Sequence, residues 1–282
     1  MTTALSRRLT LGALAAATAA AATTATAQPA PRGRFAGRVV AVTGGNSGIG
    51  EAAVRAFAAE GATVVFCARR DAPGRAVEAS VRAAGGAAQW SVVDVREAAA
   101  VAAWLDAATQ RLGRLDVLVN NAGIFMTPAP IEEISLENFA DMMQTNVAGV
   151  FHGMRAAIPR MRAQGSGVIV NMASVAGHRG FANTAHYSAS KHAVLGLTRA
   201  AAVANARHGV RIVSLSPLAV DTPMLRESFA YQNLTYEAVA PALVTPRIMA
   251  PAEIAAAILM LSDPAATAMA GMDLDVTGGQ LA

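Results

Sequence analysis

Lysine is nearly absent from this chain: of its 23 basic residues, 22 are arginine and one, Lys191, is lysine. Arginine serves wherever a generic cation is enough, so the lone ammonium marks a place where a compact, multidirectional donor is needed. Cysteine is equally scarce. The single Cys67 excludes an internal disulfide and any zinc cluster of paired cysteines, and in its apolar run it reads as a small buried hydrophobe. Charge is sparse at 15% of residues, and taking Arg7 and Arg8 of a leader-like segment from the 23 basic residues leaves 21 against 19 acidic, or +2. So small a balance carries no nucleic-acid footprint. The five histidines, His152, His178, His186, His192 and His208, lack metal-ligand spacing, so no metal site is expected. What is abundant is apolar residue, 54% of 282, enough to bury a substantial core in one α/β domain.

The first residues differ in kind from the rest. Ser6-Arg7-Arg8 leads into an Ala/Leu/Thr run and then Ala25-Thr26-Ala27. A basic region, an apolar region and a small-x-small site describe a signal peptide over residues 1–27, with the mature chain starting near Gln28. The paired arginines resemble a twin-arginine (Tat) signal, which implies a periplasmic or secreted protein in a bacterium, cytoplasmic if the leader is not used. A disordered tail or an uncleaved anchor is the alternative, but threonines and alanines dilute the run below what a span of about 20 residues needs. No stable membrane anchor is expected after cleavage. Residues 28–36 read as a Pro/Arg linker and 37–282 as the folded domain.

Along that domain, β-branched apolar runs alternate with Ala-rich helical stretches, the pattern of parallel strands joined by helices. Strands are expected at Arg38–Val42, Ala62–Cys67, Ala87–Val93, Asp116–Asn120, Gly167–Asn171, Val210–Leu215 and Met272–Val276. Helices are expected in the gaps, including Gly48–Glu60, Glu97–Leu112, Leu136–Arg162 and Ala185–Arg207. The fold class is therefore a single-domain, Rossmann-type, doubly wound parallel sheet of seven strands. Residues Asp221 to Ala250, with Pro223, Pro241 and Pro246, break the rhythm and form a candidate flap over the site.

Chemistry concentrates at the ends of the expected strands. The first runs into Thr43-Gly44-Gly45-Asn46-Ser47-Gly48-Ile49-Gly50 and then a helix, a context in which glycines let backbone N–H groups approach a pyrophosphate at a helix N-terminus. Tyr187 and Lys191 are four apart and share one helix face, so an ammonium can stabilise a phenolate. An unperturbed tyrosine titrates near pH ~10, so a neutral-pH acid/base needs that cation. A solvated helix face carrying both is the plainer alternative.

The spacing T-G-x-x-x-G-x-G, Asn120-Asn121-Ala122-Gly123, Asn146, Ser174, Tyr187-Ser188-Ala189-Ser190-Lys191 and the closing Asp275-Val276-Thr277-Gly278-Gly279 resemble, in order and spacing, the short-chain dehydrogenase/reductase family, in its single-domain NADP-preferring branch. The resemblance implies that Tyr187 is the general acid/base and that Lys191 lowers its pKa and binds the nicotinamide ribose. It further implies that Ser174 hydrogen-bonds the substrate oxygen and that Asn146 holds a proton-relay water. The cofactor-binding set it implies is Gly44, Asn46, Ser47, Gly48, Ile49, Gly50, Arg69, Asp94, Val95, Asn121, Ala122, Gly123, Tyr187, Lys191, Pro217, Val220 and Thr222. For Ser174 a strand-end turn role, for Asn146 a helix hydrogen-bonding role, and for Asp94 a helix cap are the structural alternatives. Ala68 and Arg69 stand where an NAD-preferring enzyme usually has a carboxylate. NADP(H) is therefore preferred, with Arg69 forking the 2′-phosphate and Arg70 in support, and NAD(H) remains possible. Two surface arginines opening a helix would look the same. Leu218 departs from the family's Pro-Gly after the sixth strand and is expected to reshape the turn beside the nicotinamide. Val213 replaces a common asparagine.

The function expected is NADP(H)-dependent interconversion of a secondary alcohol and a ketone by hydride transfer. Met224, Leu225, Phe229, Tyr231 and Leu234, with Ile124 and Phe125, suggest an apolar small-molecule substrate. The alternative is a non-catalytic NADP-binding sensor or scaffold, which has no need of all four of Asn146, Ser174, Tyr187 and Lys191. An extended-branch epimerase or dehydratase is disfavoured by the glycine spacing and the short C-terminal part. A homo-oligomer, tetramer or dimer, is implied by the family and by the small residues between Ala193 and Ala206.

Overall fold

In the computed structural model, residues 33–282 are described; the expected leader 1–27 and most of the linker lie outside them. Seven strands, β1 (Val39–Thr43), β2 (Thr63–Ala68), β3 (Ala87–Val92), β4 (Val117–Asn120), β5 (Gly167–Met172), β6 (Val210–Pro217) and β7 (Asp273–Val276), form one parallel sheet in the order β3-β2-β1-β4-β5-β6-β7. The helices are α1 (Gly48–Ala59), α2 (Asp71–Ala83), α3 (Ala98–Leu112), α4 (Leu136–Met143), α5 (Gly149–Gln164), α6 (Ala185–Asn205), α7 (Pro223–Gln232), α8 (Tyr236–Val239) and α9 (Pro251–Ser262).

β1, β5 and β6 are buried along their whole length, as apolar strands covered on both faces must be. Successive side chains feed opposite cores: Val40 and Val42 join the core under α1, α2 and α9, and Ala41 joins the one under α3, α5 and α6. β1 pairs with both β2 and β4, so the chain order reverses there. Open α/β sheets bind ligands at the carboxyl ends of the strands beside such a switch point.

The expected boundaries shift by at most two residues, except in one helix. β6 runs two residues further, through Ser216 and Pro217, because β7 pairs with it to that point. The helix expected over Leu136–Arg162 is not continuous. A five-residue π segment, Gln144–Ala148, separates α4 from α5, and a local pattern of apolar residues cannot distinguish i→i+5 from i→i+4 bonding. The stretch from Asp221 to Ala250 holds α7 and α8. Among the described residues no helix is long and apolar enough to cross a membrane, and no group of three or more His, Cys, Asp or Glu residues could hold a metal ion.

Candidate active site

The carboxyl ends of β1, β2, β4, β5 and β6 converge on a cleft of about 900 Å³. Its floor is a stitched pair of turns. Thr43 Oγ1 accepts hydrogen bonds from Asn121 N and Ala122 N, both at 3.0 Å, and Asn121 Nδ2 donates to the Thr43 carbonyl at 3.0 Å and the Gly44 carbonyl at 3.2 Å. Gly44 turns with φ +66° and Gly48 with φ +55°, conformations that cost a side-chain-bearing residue strain. Ser47, the residue before α1, makes no side-chain cap, so the first N–H groups of that helix face the cleft without a capping acceptor. Such a terminus is an anion site, and a pyrophosphate fits it.

Gly44, Asn46, Ser47, Gly48 and Ile49 line the cleft, whereas Gly50 does not. A Cβ at Gly50 would lie 2.2 Å from the Gly44 carbonyl oxygen and 2.4 Å from Asn121 Nδ2, so this glycine lets α1 pack beneath the loop and has no surface to offer a ligand. Asn46 is buried and its Nδ2 donates to the Arg70 carbonyl at 3.1 Å, tying the loop to the end of β2. Arg69 and Arg70 stand on the rim after β2, and neither lies within 4.0 Å of a carboxylate among the described residues. Asp94 and Val95 follow β3 on the same side. Burial works against the Asp94 carboxylate, but hydrogen bonds from the Arg96 side chain (2.7 and 2.9 Å) and backbone (3.0 Å) hold its pKa below the ordinary value. Ala122 and Gly123 line the middle of the cleft with Asn121.

On the other wall, Ser174 lies two residues beyond β5 and caps a single 3₁₀ turn, Val175–Gly177, its Oγ accepting from Ala176 N at 3.2 Å. Tyr187 and Lys191 project from the first turns of α6. Burial pushes the Tyr187 phenol up from its ordinary value, opposed by the Ser174 hydroxyl across the cleft wall. Phe125 packs edge-on to its ring with centroids 5.1 Å apart. Burial depresses the Lys191 ammonium to about 8. Lys191 Nζ donates to the Met172 carbonyl at 2.8 Å and lies 5.7 Å from the centre of the Tyr187 ring. The ammonium is therefore held by the end of β5.

Asn146 is brought near but turned away. Its Oδ1 accepts from Ile124 N at 2.8 Å, and its Nδ2 donates to the Ile124 carbonyl at 3.0 Å and to Ser190 Oγ at 3.2 Å. The π segment rotates this carboxamide into the protein, so its side chain clamps the loop after β4 to α6 and does not line the cleft. Pro217, Val220 and Thr222 do line it, and Thr222 Oγ1 caps α7 at 3.2 Å while its methyl lies against Gly48. Leu218 turns without a positive φ, so the family glycine is not required for this corner. Val213 is fully buried in the core. Tyr231, expected in the flap lining, points out and donates to Glu227 at 2.6 Å.

A family model for short chain dehydrogenases matches residues 38–233. Levodione reductase of Leifsonia aquatica is 42% identical over 208 residues, 72% of this chain and 77% of that protein. The chain belongs to the short-chain dehydrogenase family. Cis-4-hydroxycyclohexanecarboxylate dehydrogenase of Sinomonas cyclohexanicum is 39% identical over 248 residues, 88% of this chain and 98% of that one. Among solved structures, a single-substitution variant of actinorhodin polyketide ketoreductase with NADPH superposes with a TM-score of 0.82 at 33% identity, covering 88% of this chain and 98% of its own. A 3-ketoacyl-(acyl-carrier-protein) reductase from Brucella melitensis complexed with NADH superposes with a TM-score of 0.81 at 34% identity, covering 87% and 99%. Like other short-chain dehydrogenases, this chain is an oxidoreductase of alcohol or ketone groups, and structural neighbours of its kind bind NAD(P)(H).

Two features of this short-chain dehydrogenase site escape sequence reasoning. Thr43, which the T-G-x-x-x-G-x-G spacing marks only as the start of the glycine loop, joins that loop to the Asn-Asn-Ala-Gly turn through its hydroxyl. The second is how charge is distributed in the cleft: apart from Lys191, its charged lining residues are Arg69, Arg70 and Asp94, all beyond β2 and β3. The lining beyond β5 is otherwise uncharged, with Phe181, Leu225, Phe229, Leu234 and Leu243 beside the polar Thr184, Ser228 and Gln232, and Phe125 packs on Tyr187.

Proposed function

We propose that this short-chain dehydrogenase is an NADP(H)-dependent enzyme that interconverts a neutral, apolar ring ketone and its secondary alcohol, with Tyr187 as general acid/base. The observation carrying the proposal is a cleft with two carboxylate-free arginines at one end and Ser174, Tyr187 and Lys191 in an otherwise uncharged chamber at the other. The ring preference draws on its relatives, one of which is named for acting on a hydroxycyclohexanecarboxylate; the preference for a neutral ring rests on the cleft lining. A carboxylate on the ring has no cation to meet in this chamber except Lys191, whose ammonium is already donating to Met172.

A nicotinamide dinucleotide, when bound, supplies the hydride; the chain's own residues do the rest. The unbonded N–H groups at the start of α1 hold its pyrophosphate, and Arg69 with Arg70 pairs the 2′-phosphate. The Ser174 hydroxyl donates to the carbonyl oxygen and polarises it. The Tyr187 hydroxyl then delivers its proton to the oxygen as negative charge grows there. An ordinary phenol is already protonated at neutral pH, and burial raises its pKa further, which suits ketone reduction. In the oxidative direction the phenol must first give up its proton, which the same burial opposes. Lys191 offers a positive charge to the resulting phenolate and donors to the nicotinamide ribose.

The family implies a homo-oligomer, and light scattering of the mature chain tests it. The Tat-like leader supports export, and N-terminal sequencing of the exported form tests cleavage near Gln28. Initial rates with NADPH and NADH on cyclohexanone, trans-1-decalone and 4-oxocyclohexanecarboxylate test the main reading. The two neutral ketones should be reduced at least ten times more efficiently than the carboxylate, and with NADPH favoured over NADH. Reduction of the carboxylate alone, or no ketone reduction at all, would overturn it.

A further inference from the structure

His178 directly follows the 3₁₀ turn capped by Ser174 and does not itself line the cleft. Its backbone N–H donates to the Val175 carbonyl at 3.0 Å, while Gly177 N donates to the Ser174 carbonyl at 2.8 Å, so the imidazole is attached to a one-turn element one end of which is Ser174. The ring reaches across to the sheet edge. Nε2 lies 2.7 Å from Asp273 Oδ2 on β7 and 3.3 Å from Ser216 Oγ on β6. Asp273 has an 8% exposed side chain, and its other oxygen, Oδ1, is buried without a partner. A carboxylate placed so needs a donor, and among the described residues the one it meets is His178. Ser216, fully buried, is followed immediately by Pro217 of the cleft lining.

This Ser, His and Asp set is not a nucleophilic triad. A triad uses the two ring nitrogens for different partners, whereas here one nitrogen meets both, and Ser216 is inaccessible. Its geometry is that of a clasp. We propose that His178, through Asp273 and Ser216, is a positioning residue that fixes the Ser174 turn against the Ser216–Pro217 corner, so that the two walls of the cleft keep their separation during hydride and proton transfer. The ring's bond to a buried carboxylate is what gives the clasp its strength, since a charge-assisted hydrogen bond is roughly twice as strong as a neutral one. Three backbone hydrogen bonds and the Ser174 cap shape the turn, which is buried beside α6, and the clasp adds a side-chain tie from it to β6 and β7; misplacement by about 1 Å costs on the order of 100-fold in rate.

The proposal rests on the ketone-reducing reading, so its test has an arm independent of turnover. His178→Ala, His178→Gln and Asp273→Asn are assayed on trans-1-decalone with NADPH, and backbone hydrogen exchange is followed over residues 173–182. We expect kcat to fall about ten-fold or more in His178→Ala and Asp273→Asn, with KM for NADPH within two-fold. His178→Gln, which keeps a donor, should recover at least half of the lost rate. The double variant should be no slower than either single one, because both remove the same contact. Exchange over 173–182 should rise in both single variants while that of β4 stays fixed. A kcat within two-fold of the parent, a loss confined to KM, or additive losses would overturn the positioning role. If His178→Ala fails to fold, Asp273→Asn decides by the same criteria. If the parent reduces no ketone, the functional reading fails by itself, and unchanged exchange in the variants would then overturn the clasp.

Discussion

Lys191 should cost the free enzyme stability. In the fold its ammonium is buried with one acceptor, the Met172 carbonyl, and its pKa is depressed from 10.5 to about 8. A group whose folded pKa is lowered is bound to fewer protons folded than unfolded between those two values. Stability therefore rises with pH across that window, and at neutral pH the full penalty is present. At 1.36 kcal/mol per unit the penalty is about 3 kcal/mol. Methionine is unbranched and of similar length but uncharged, so Lys191→Met removes the penalty and leaves the Met172 carbonyl short of one donor, at a cost of roughly 1–2 kcal/mol. The net expectation is that cofactor-free Lys191→Met is more stable than the parent by about 1–2 kcal/mol at pH 7, or a few degrees in Tm for a domain of this size. The advantage should shrink through pH 8 to 10 as the parent lysine sheds its proton. Urea melts at pH 7 and pH 10 measure both quantities. A less stable variant at pH 7, or a difference constant with pH, would refute the reasoning. Turnover should be lost in either case, since the charge that serves the phenolate and the donors for the ribose are gone.

Arg69→Asp should move the ratio of kcat/KM for NADPH over NADH toward NADH by at least ten-fold, because it replaces phosphate pairing with repulsion; steady-state kinetics with both cofactors check it. Tyr187→Phe should lower kcat at least a thousand-fold while fluorescence titration finds NADPH affinity within about three-fold, since only the proton-carrying oxygen is removed. Gly50→Ala forces a methyl to 2.2 Å from the Gly44 carbonyl oxygen, so it should destabilise the fold by about 1–3 kcal/mol in a urea melt and weaken NADPH binding through the displaced loop.

The parallel sheet was legible because β-branched runs buried on both faces have a period and length that helices do not share, and its strand count and sequence follow from local pattern alone. The chemistry-bearing residues were legible for a related reason. Strand ends and helix starts fix where Ser174, Tyr187 and Lys191 emerge, and a four-residue spacing on one helix fixes the common face of the last two. Apolar residues of the flap were recognisable by type, though Tyr231 shows that type does not tell which way a side chain turns.

What the sequence by itself determined is the architecture, the glycine loop and the placing of Tyr187 four residues before the only lysine. What the tertiary structure decided is how those groups are partnered. Asn146 turns onto Ile124 because a π segment adds one residue to a helical turn, a change of backbone register that leaves no mark on hydrophobic periodicity. Lys191 donates to Met172, and Gly50 serves packing, because β5 and the loop after β1 arrive from distant parts of the chain. His178 meets Asp273 across 95 positions, a separation at which spacing carries no information and only the closure of β7 onto β6 brings the pair together.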